Sequence, residues 1–292
     1  MKRLFILAAL LLSACDSGPV LPPLVVLAPA GQESMLAELL AEFTDDSGIP
    51  VTISWGTSAG HATRLIENTG VPVDVLITDN VADIWRAADR GALRPIQSAT
   101  LPALHPSLKD PDGMWAAVDM RLHTISHGKD VEPRASSYDD LGTPGFQGRV
   151  CLSSSSLPVN RSLIANLIQE RGIKETERLV RRWVKNLARP PYPGDRELLD
   201  AIREGHCAYG ISGLSGSLFG LSDVTPEPRS FDVTAVGVGR HAGQPEPAHI
   251  LVDWLLQYRL TGVARDADLP AGGIAGFRDE EVRLLTERAG YW

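Results

Sequence analysis

Three strand–loop–helix units follow one another between residues 24 and 90, and this repetition limits the possible folds more than any other feature. Each unit opens with a short apolar run of the kind found in strands buried on both faces, at 24–27, 51–55 and 73–77. After the first run, apolar residues recur at helical spacing, as in Met35, Leu36, Leu39, Leu40 and Phe43. Strands that alternate with helices predict a parallel sheet with helices on both faces.

The pattern changes beyond residue 118, where a second α/β unit is predicted. Strands are expected at 118–126, 148–152, 208–212 and 231–238, and helices at 161–171, 174–185, 195–203, 245–257 and 279–288. A chain that leaves one α/β lobe, builds another and returns predicts two hinged lobes around a cleft. The expected divisions are 24–118 for the first part of lobe 1, 119–232 for lobe 2 and 233–292 for the return to lobe 1.

The N-terminus has the pattern of a lipoprotein signal peptide at 1–15. Two basic residues precede an apolar run, Leu4 to Leu12, that is far shorter than the roughly 20 residues of a membrane-spanning helix. Leu12-Ser13-Ala14-Cys15 then predicts cleavage before Cys15 and a lipid on its thiol, followed by a tether at 16–23. An ordinary secretory signal peptide is the alternative. Asp16 resembles the signal that keeps lipoproteins at the inner membrane, so the periplasmic face of that membrane is the expected location.

Charge and cysteine content argue against a nucleic-acid-binding protein and against a zinc site. The net charge is -8 and no basic block occurs, which argues against nucleic acid as a partner. With Cys15 assigned to the lipid, Cys151 and Cys207 remain, and a disulfide between them is expected in an oxidising compartment. Two buried free thiols are the alternative. No cysteine–histidine spacing typical of zinc sites occurs, and no cofactor is predicted.

Catalytic motifs are not found in the sequence, and no enzymatic activity is predicted. Gly213-Leu214-Ser215-Gly216-Ser217 ends in serine where the G-x-S-x-G nucleophile turn has glycine. His123 and His127 fall on a predicted strand, where residues four apart are separated by about 13 Å and cannot share one metal ion.

Several short motifs, in their order along the chain, resemble the periplasmic ferric-iron-binding proteins, which have the type II solute-binding fold. In the first lobe they are Val73-Asp74-Val75-Leu76-Ile77-Thr78, residues 84–91 and residues 108–115. In the second lobe they are residues 138–141, 148–152, 160–163, 186–191 and 194–196, followed by the ending Ala289-Gly290-Tyr291-Trp292. The resemblance implies a monomeric solute-binding protein that captures a small molecule or an ion and delivers it to an inner-membrane ABC permease.

The residues expected to bind iron differ from the family pattern. Family members that bind bare ferric iron commonly carry adjacent tyrosines where this chain has Leu214 to Ser217, and another tyrosine where it has Val159. Gln32 and Glu33 replace a histidine or tyrosine, which makes Glu33 a weak metal-ligand candidate. Bare ferric iron is therefore not expected. The ligands left open are iron(III) as a chelate or with an anion, a phosphate- or phosphonate-bearing solute, and a simple oxyanion; a scaffold that binds no ligand is a further alternative.

The predicted ligand site lies where strand ends of the two lobes face each other. Its one fixed cation is Arg121, which matches a family arginine that pairs with an anion beside the iron. The serine-rich loops at 56–60 and 153–156 precede helices, where they either bind an anion or cap the helix. The full predicted set is Gln32, Ser58, Asp79, Arg121, Ser154, Asn160, Ser215 and Ser217.

Overall fold

The computed structural model describes residues 22–263 and 279–292. The predicted signal peptide, Cys15 and the tether as far as residue 21 lie outside the described residues. The strands are β1 (Leu24–Pro29), β2 (Val51–Gly56), β3 (Val75–Thr78), β4 (Leu93–Arg94), β5 (Ala116–Leu122), β6 (Thr124–His127), β7 (Val150–Cys151), β8 (Tyr209–Ser212), β9 (Ser222–Val224) and β10 (Phe231–Gly239). The α-helices are α1 (Glu33–Ser47), α2 (Ser58–Glu67), α3 (Val81–Asp89), α4 (Pro158–Arg171), α5 (Ile173–Lys185), α6 (Asp195–Arg203), α7 (Pro245–Val263) and α8 (Asp279–Ala289).

The first lobe is built on a sheet with the order β2-β1-β3-β10-β4, with β5 also paired to β10. The strands β1, β2 and β3 are parallel, as the three repeated units predict, whereas β10 runs antiparallel to β3. Apolar side chains of α1, α2, α3 and α7 pack with the sheet in one continuous core. The carboxyl ends of the three parallel strands therefore meet at one edge, which places Asp79 there.

The second lobe is built on a smaller sheet with the order β7-β8-β6-β9. Side chains from α4, α5 and α8 pack with it in a core separate from that of the first lobe. A third, smaller cluster joins α6 to β7 and contains Cys151 and Cys207. These two cysteines form a disulfide with a Cα–Cα distance of 6.0 Å, which ties the end of β7 to the residues just before β8.

The predicted return of the whole segment 233–292 to the first lobe is wrong for α8. Its apolar residues Val282, Leu285 and Ala289 are buried in the second-lobe core, and so is Tyr291. The spacing of these residues correctly predicts a helix with one buried face, but a periodic pattern does not specify which lobe covers that face. The described part of the chain contains no helix that is both long and apolar enough to span a membrane.

The chain crosses between the lobes at His123 and again at Ser230. The single strand expected over 118–126 is in fact two strands, β5 in the first sheet and β6 in the second, which meet at His123. The backbone N–H of His123 donates to the carbonyl of Ser230 (2.8 Å), and its Nε2 lies 2.9 Å from the carbonyl of Val159 at the start of α4. Burial lowers the pKa of His123 to about 4, so the imidazole at this hinge is neutral at physiological pH.

Candidate functional site

A cavity of about 220 Å³ lies between the two lobes. Its lining consists of Asp79 and Arg121 from the first lobe, and Leu157, Pro158, Val159, Gly194, Asp195, Gly213 and Leu214 from the second. Larger cavities beside α7 and α8 are each lined by residues of a single lobe. The cavity between the lobes is therefore the candidate ligand site, because it is where a hinge motion changes the shape of the surroundings.

The first-lobe wall is a small hydrogen-bonded unit that holds the carboxylate of Asp79. The hydroxyl of Ser58, at the start of α2, donates to Asp79 Oδ1 (2.6 Å), and the Asn80 amide donates to the same oxygen (3.0 Å). Arg121, near the end of β5, donates from Nη2 to the backbone carbonyl of Asp79. These contacts fix the backbone and one carboxylate oxygen of Asp79 at the mouth of the cleft.

The guanidinium of Arg121 is the most unusual group in the cavity. Its Nε is buried and has no hydrogen-bond partner among the described residues. A buried N–H without an acceptor is costly, by roughly 1–3 kcal/mol. Arg121 therefore has unused donor capacity at a ligand cavity, and the groups that suit it are carboxylates and phosphates, which accept in the geometry of its planar fork.

A fully buried carboxylate, Asp232, lies beside Arg121 on the neighbouring strand. The two residues are partners in the pairing of β5 with β10. Asp232 Oδ1 accepts from the N–H groups of Val81 and Val233, but Oδ2 is buried without a partner among the described residues. Burial raises the pKa of Asp232 to about 6, although the positive charge of Arg121 opposes this shift.

The second-lobe wall is organised by Asp195, the first residue of α6. Its Oδ1 accepts from the Ser153 hydroxyl (2.6 Å), and its Oδ2 accepts from the N–H of Gly213 (2.8 Å). Burial raises the pKa of Asp195, while these two hydrogen bonds and the charge of Arg121 act in the opposite direction. The carboxylate thus connects the loop after β7 with the loop after β8, and both loops face the cavity.

Asn160 and Tyr291 support this wall from behind. The amide of Asn160 donates to the carbonyl and to the hydroxyl of Ser153 (3.1 and 2.8 Å). The buried hydroxyl of Tyr291 donates to the same carbonyl (2.6 Å). Asn160, a predicted site residue, therefore shapes the ligand loop and uses its amide donors within the protein.

The structure brings together only part of the predicted set. Asp79 and Arg121 line the cavity and Ser58 holds Asp79, but Gln32 instead donates to Thr234 on β10 (2.9 Å). The other predicted residues outside the described lining are Glu33, Ser154, Asn160, Ser215 and Ser217. Ser154 contacts Ser156, while the Ser215 hydroxyl and the Ser217 N–H donate to the carboxylate of Asp223.

The two serine-rich loops behave differently from each other. In the loop at 56–60, Thr57 caps α2 by accepting from the N–H of Gly60 (3.1 Å), so ordinary capping explains this hydroxyl. The loop at 153–156 leads to the start of α4, and α4 and α6 both begin at the cavity. Helix N-termini carry partial positive charge, which favours an anionic group in the cavity.

The predicted site lacks seven residues of the described lining, which are Leu157, Pro158, Val159, Gly194, Asp195, Gly213 and Leu214. Asp195 follows a glycine at the start of a predicted helix, where an acidic residue is already explained by helix capping. Its proximity to Arg121 depends on how the two lobes are arranged, and that arrangement cannot be predicted from local spacing in the sequence.

The tyrosines that the resemblance would lead one to expect are not at this cavity. Tyr138, Tyr209 and Tyr291 donate from their hydroxyls to backbone carbonyls, Tyr192 packs with the disulfide cluster, and Tyr258 stacks on Trp254. The described residues that line the cavity include no tyrosine. In the same described part, no three histidine, cysteine, aspartate or glutamate side chains are grouped closely enough to hold a metal ion.

Two α/β lobes joined by hinge strands, with charged side chains converging on the cleft, define a two-lobed ligand-binding protein of the type II fold. Residues 24–265 match the family model described as bacterial extracellular solute-binding protein. This match covers more than half of the chain, and the chain belongs to that family.

Comparison with curated proteins identifies relatives named for iron. The chain is 34% identical over 209 residues to iron uptake protein A1 of Synechocystis sp., which is 67% of this chain and 58% of that protein. It is 24% identical over 191 residues to the Fe(3+)-binding periplasmic protein of Serratia marcescens, which is 64% of this chain and 56% of that protein. The alignments thus span somewhat more than half the length of these relatives.

Solved structures confirm the predicted fold class. A Trichodesmium protein in complex with iron and citrate superposes with a TM-score of 0.80 at 24% identity, covering 92% of this chain and 99% of that one. The Bordetella ferric binding protein superposes with a TM-score of 0.75 at 26% identity, covering 90% of this chain and 98% of that one. The two-lobed fold therefore extends over nearly the whole described chain.

Proposed function

We propose that this protein captures iron(III) together with an anion in the cleft between its lobes and delivers it to an ABC permease. The iron in this proposal is supported by the relatives, which are named for iron uptake or ferric binding. The accompanying anion is supported by the cavity itself. The protein acts as a monomeric binding protein with no catalytic step and no resident cofactor.

The single observation that carries the proposal is the mixed charge of the cavity. Arg121, with an unsatisfied donor, shares the cavity with the carboxylates of Asp79 and Asp195. A simple oxyanion would satisfy Arg121 but would be repelled by the two carboxylates, and a bare cation would have the reverse difficulty. A ligand with both a cationic and an anionic part matches all three groups.

The chemistry of ferric iron leads to the same conclusion. Iron(III) is a hard cation that prefers several anionic oxygen ligands, and the cavity offers two carboxylates and no tyrosine among its described lining. The remaining oxygens must therefore come with the metal, as they do in a carboxylate chelate such as ferric citrate. The carboxylate or phosphate groups of such a chelate are also the preferred partners of an arginine.

Variants at Arg121 test this proposal. Wild-type protein is expected to bind ferric citrate much more tightly than citrate alone in calorimetric titrations, and Arg121→Ala is expected to lose most of that affinity. Arg121→Lys keeps the charge but not the planar fork. Its affinity for ferric citrate should therefore fall between those of the wild type and Arg121→Ala. Unchanged affinity of Arg121→Ala would remove Arg121 from the site, and a wild-type protein that binds no ferric citrate would contradict the proposed function.

The anchoring part of the proposal concerns Cys15. We expect the chain to be cleaved before this residue, lipidated on its thiol and held at the periplasmic face of the inner membrane, close to the permease. A Cys15→Ala protein should either become soluble or keep its signal peptide, as seen by membrane fractionation and mass spectrometry. A processed Cys15→Ala protein that still fractionates with the membrane would contradict lipid anchoring.

A further inference from the structure

We propose that the outer face of α7 formed by Ile250, Trp254 and Tyr258, here called the α7 face, rests on the surface of the lipid bilayer to which the chain is anchored. This inference rests on the anchoring part of the proposed function, because it needs the lipid on Cys15. It adds a contact between the folded first lobe and the membrane, in addition to the covalent lipid.

The chain enters the first lobe beside the start of α7, and hydrogen bonds fix it there. The side-chain amide of Gln244, the residue before α7, donates to the carbonyls of Pro22 (2.8 Å) and Pro23 (3.1 Å). The buried carboxylate of Asp74 accepts from the N–H groups of Val25 on β1 and of Gln244 (both 2.8 Å). The point of entry is therefore held next to the first residue of α7.

The distance between this point of entry and the lipid is short. Pro22 comes seven residues after Cys15, and even a fully extended chain of that length spans at most about 25 Å. Along the helix axis, Ile250 lies about 9 Å and Tyr258 about 21 Å from Gln244, because an α-helix rises about 1.5 Å per residue. Lipid anchoring at Cys15 therefore keeps the start of α7 close to the bilayer surface.

The side chains of the α7 face are of the kind that membrane interfaces favour. Ile250, Trp254 and Tyr258 follow one another at intervals of four residues, so they lie on one side of the helix. Ile250 is 51% exposed and Tyr258 is 47% exposed. The rings of Trp254 and Tyr258 stack with their centroids 4.8 Å apart, and Trp254 packs on the core of the first lobe. Tryptophan and tyrosine prefer the membrane–water interface, because each has an apolar body and a polar tip.

The charges beside the α7 face determine which bilayer surface suits it. A cavity of about 490 Å³ next to the face is lined by the acidic residues Glu246 and Asp253 as well as by Ile250 and Trp254. Anionic lipid headgroups repel such carboxylates, so the attraction must come from burial of apolar surface. The α7 face therefore suits zwitterionic lipid, and its contact with the bilayer should depend little on salt, unlike a contact between charges.

A bilayer at the α7 face leaves the ligand cavity accessible. β1 starts at Leu24 and runs parallel to β3, and Asp79 follows the end of β3. The chain therefore enters the first sheet at the edge opposite to the one that carries Asp79. Because the lipid keeps the first lobe beside the bilayer, the effective concentration of the surface is high and even a weak contact is favoured.

The experiment uses the processed, lipidated protein on phosphatidylcholine vesicles that contain a spin-labelled lipid as quencher. Ile250→Cys is labelled with an environment-sensitive fluorophore. Leu218→Cys is the matched control, because Leu218 is 81% exposed but lies on the second lobe. We expect a blue shift and quenching of the fluorophore at position 250, unchanged by added salt, and neither effect at position 218. Adding Tyr258→Ser to the labelled Ile250→Cys protein should weaken the quenching, whereas adding Ile173→Ser, at an exposed position of α5, should not.

Flotation of the vesicles separates failure of this inference from failure of the anchoring. Equal quenching at positions 250 and 218, or none at position 250, in protein that floats with the vesicles would overturn the inference while lipid anchoring stands. A spectral change at position 250 that requires added permease would assign the α7 face to the permease and overturn the inference as well. Protein that does not float with the vesicles would overturn lipid anchoring, and the inference with it.

Discussion

Arg121 and Asp232 show how single residues in this protein keep unsatisfied polar atoms next to the ligand site. They are strand partners, and each has one buried polar atom without a partner in the described part of the chain. No ion pair within 4.0 Å joins them among the described residues, although their charges influence each other. Unsatisfied buried groups decrease stability, and their position beside the cavity suggests that this cost is tolerated because a ligand removes part of it.

Asp232 gives a prediction for the pH dependence of stability. Its pKa is raised from 3.8 to about 6 in the folded protein by burial, so folding favours the protonated acid. The stabilisation from this group is complete below the unfolded-state pKa and is lost as pH rises through about 6. The loss is on the order of 3 kcal/mol, since each pKa unit corresponds to about 1.4 kcal/mol.

The variant Asp232→Asn should remove this dependence. Its Oδ1 can still accept from Val81 and Val233, as the aspartate does. In urea unfolding between about pH 4 and pH 7.5, Asp232→Asn should become more stable relative to the wild type as pH rises, by up to about 3 kcal/mol. A difference between the two proteins that does not change with pH would show that Asp232 does not titrate in this range.

The disulfide between Cys151 and Cys207 is the main covalent constraint on the elements of the second lobe. It joins residues 56 apart, next to the loop of Ser153 and next to β8. In the chain-entropy model, closing a loop of this length stabilises the folded state by about 4 kcal/mol. The variant with both cysteines changed to serine should unfold at lower denaturant concentration, because its free energy of unfolding should be lower by about 4 kcal/mol.

Intact mass provides the direct measurement for this bond. Freshly isolated protein, kept from reductant, should contain no free thiol at these two positions and should gain the mass of two hydrogens on reduction. Two free thiols in that preparation would show that the pair is not bridged in solution. Equal stability of the wild-type and serine proteins would contradict the stabilising role.

Most elements could be predicted from the sequence, because burial produces periodic patterns in the residues themselves. The helix expected at 195–203 is found with those bounds as α6, and the three parallel strands are found as predicted. The errors arise where the choice depends on contacts distant in sequence. The residues 118–126 look like one strand because apolar and polar residues alternate in each half, and only the separation of two sheets at His123 divides them.

The ligand site was harder to predict than the elements, since it exists only in the arrangement of the whole molecule. Asp79 and Arg121 could be inferred because one follows a strand at the expected edge of the sheet and the other matches a family position. Asp195 could not, because it enters the cavity through the placement of α6 opposite β5. Ser215 and Ser217 resembled ligand residues in sequence, yet they bind Asp223 within their own lobe.

For the molecule as a whole, the two lobes have separate cores and are connected by two chain crossings, with the charged cavity between them. This arrangement favours closure around a ligand, because rotation at the hinge leaves each core intact. It also divides the site into an arginine and a carboxylate on one lobe and a second carboxylate on the other. Metal and anion are therefore expected to bind together and to depend on each other.

The most direct test is to load the ligand-free protein with ferric citrate, desalt it, and measure retained iron, retained citrate and the visible spectrum. We expect iron and citrate to be retained together, without the strong visible charge-transfer band that tyrosinate ligands give to ferric iron, because the described residues of the cavity include no tyrosine. Retention of iron without citrate, accompanied by that band, would contradict joint capture of metal and anion in this cleft.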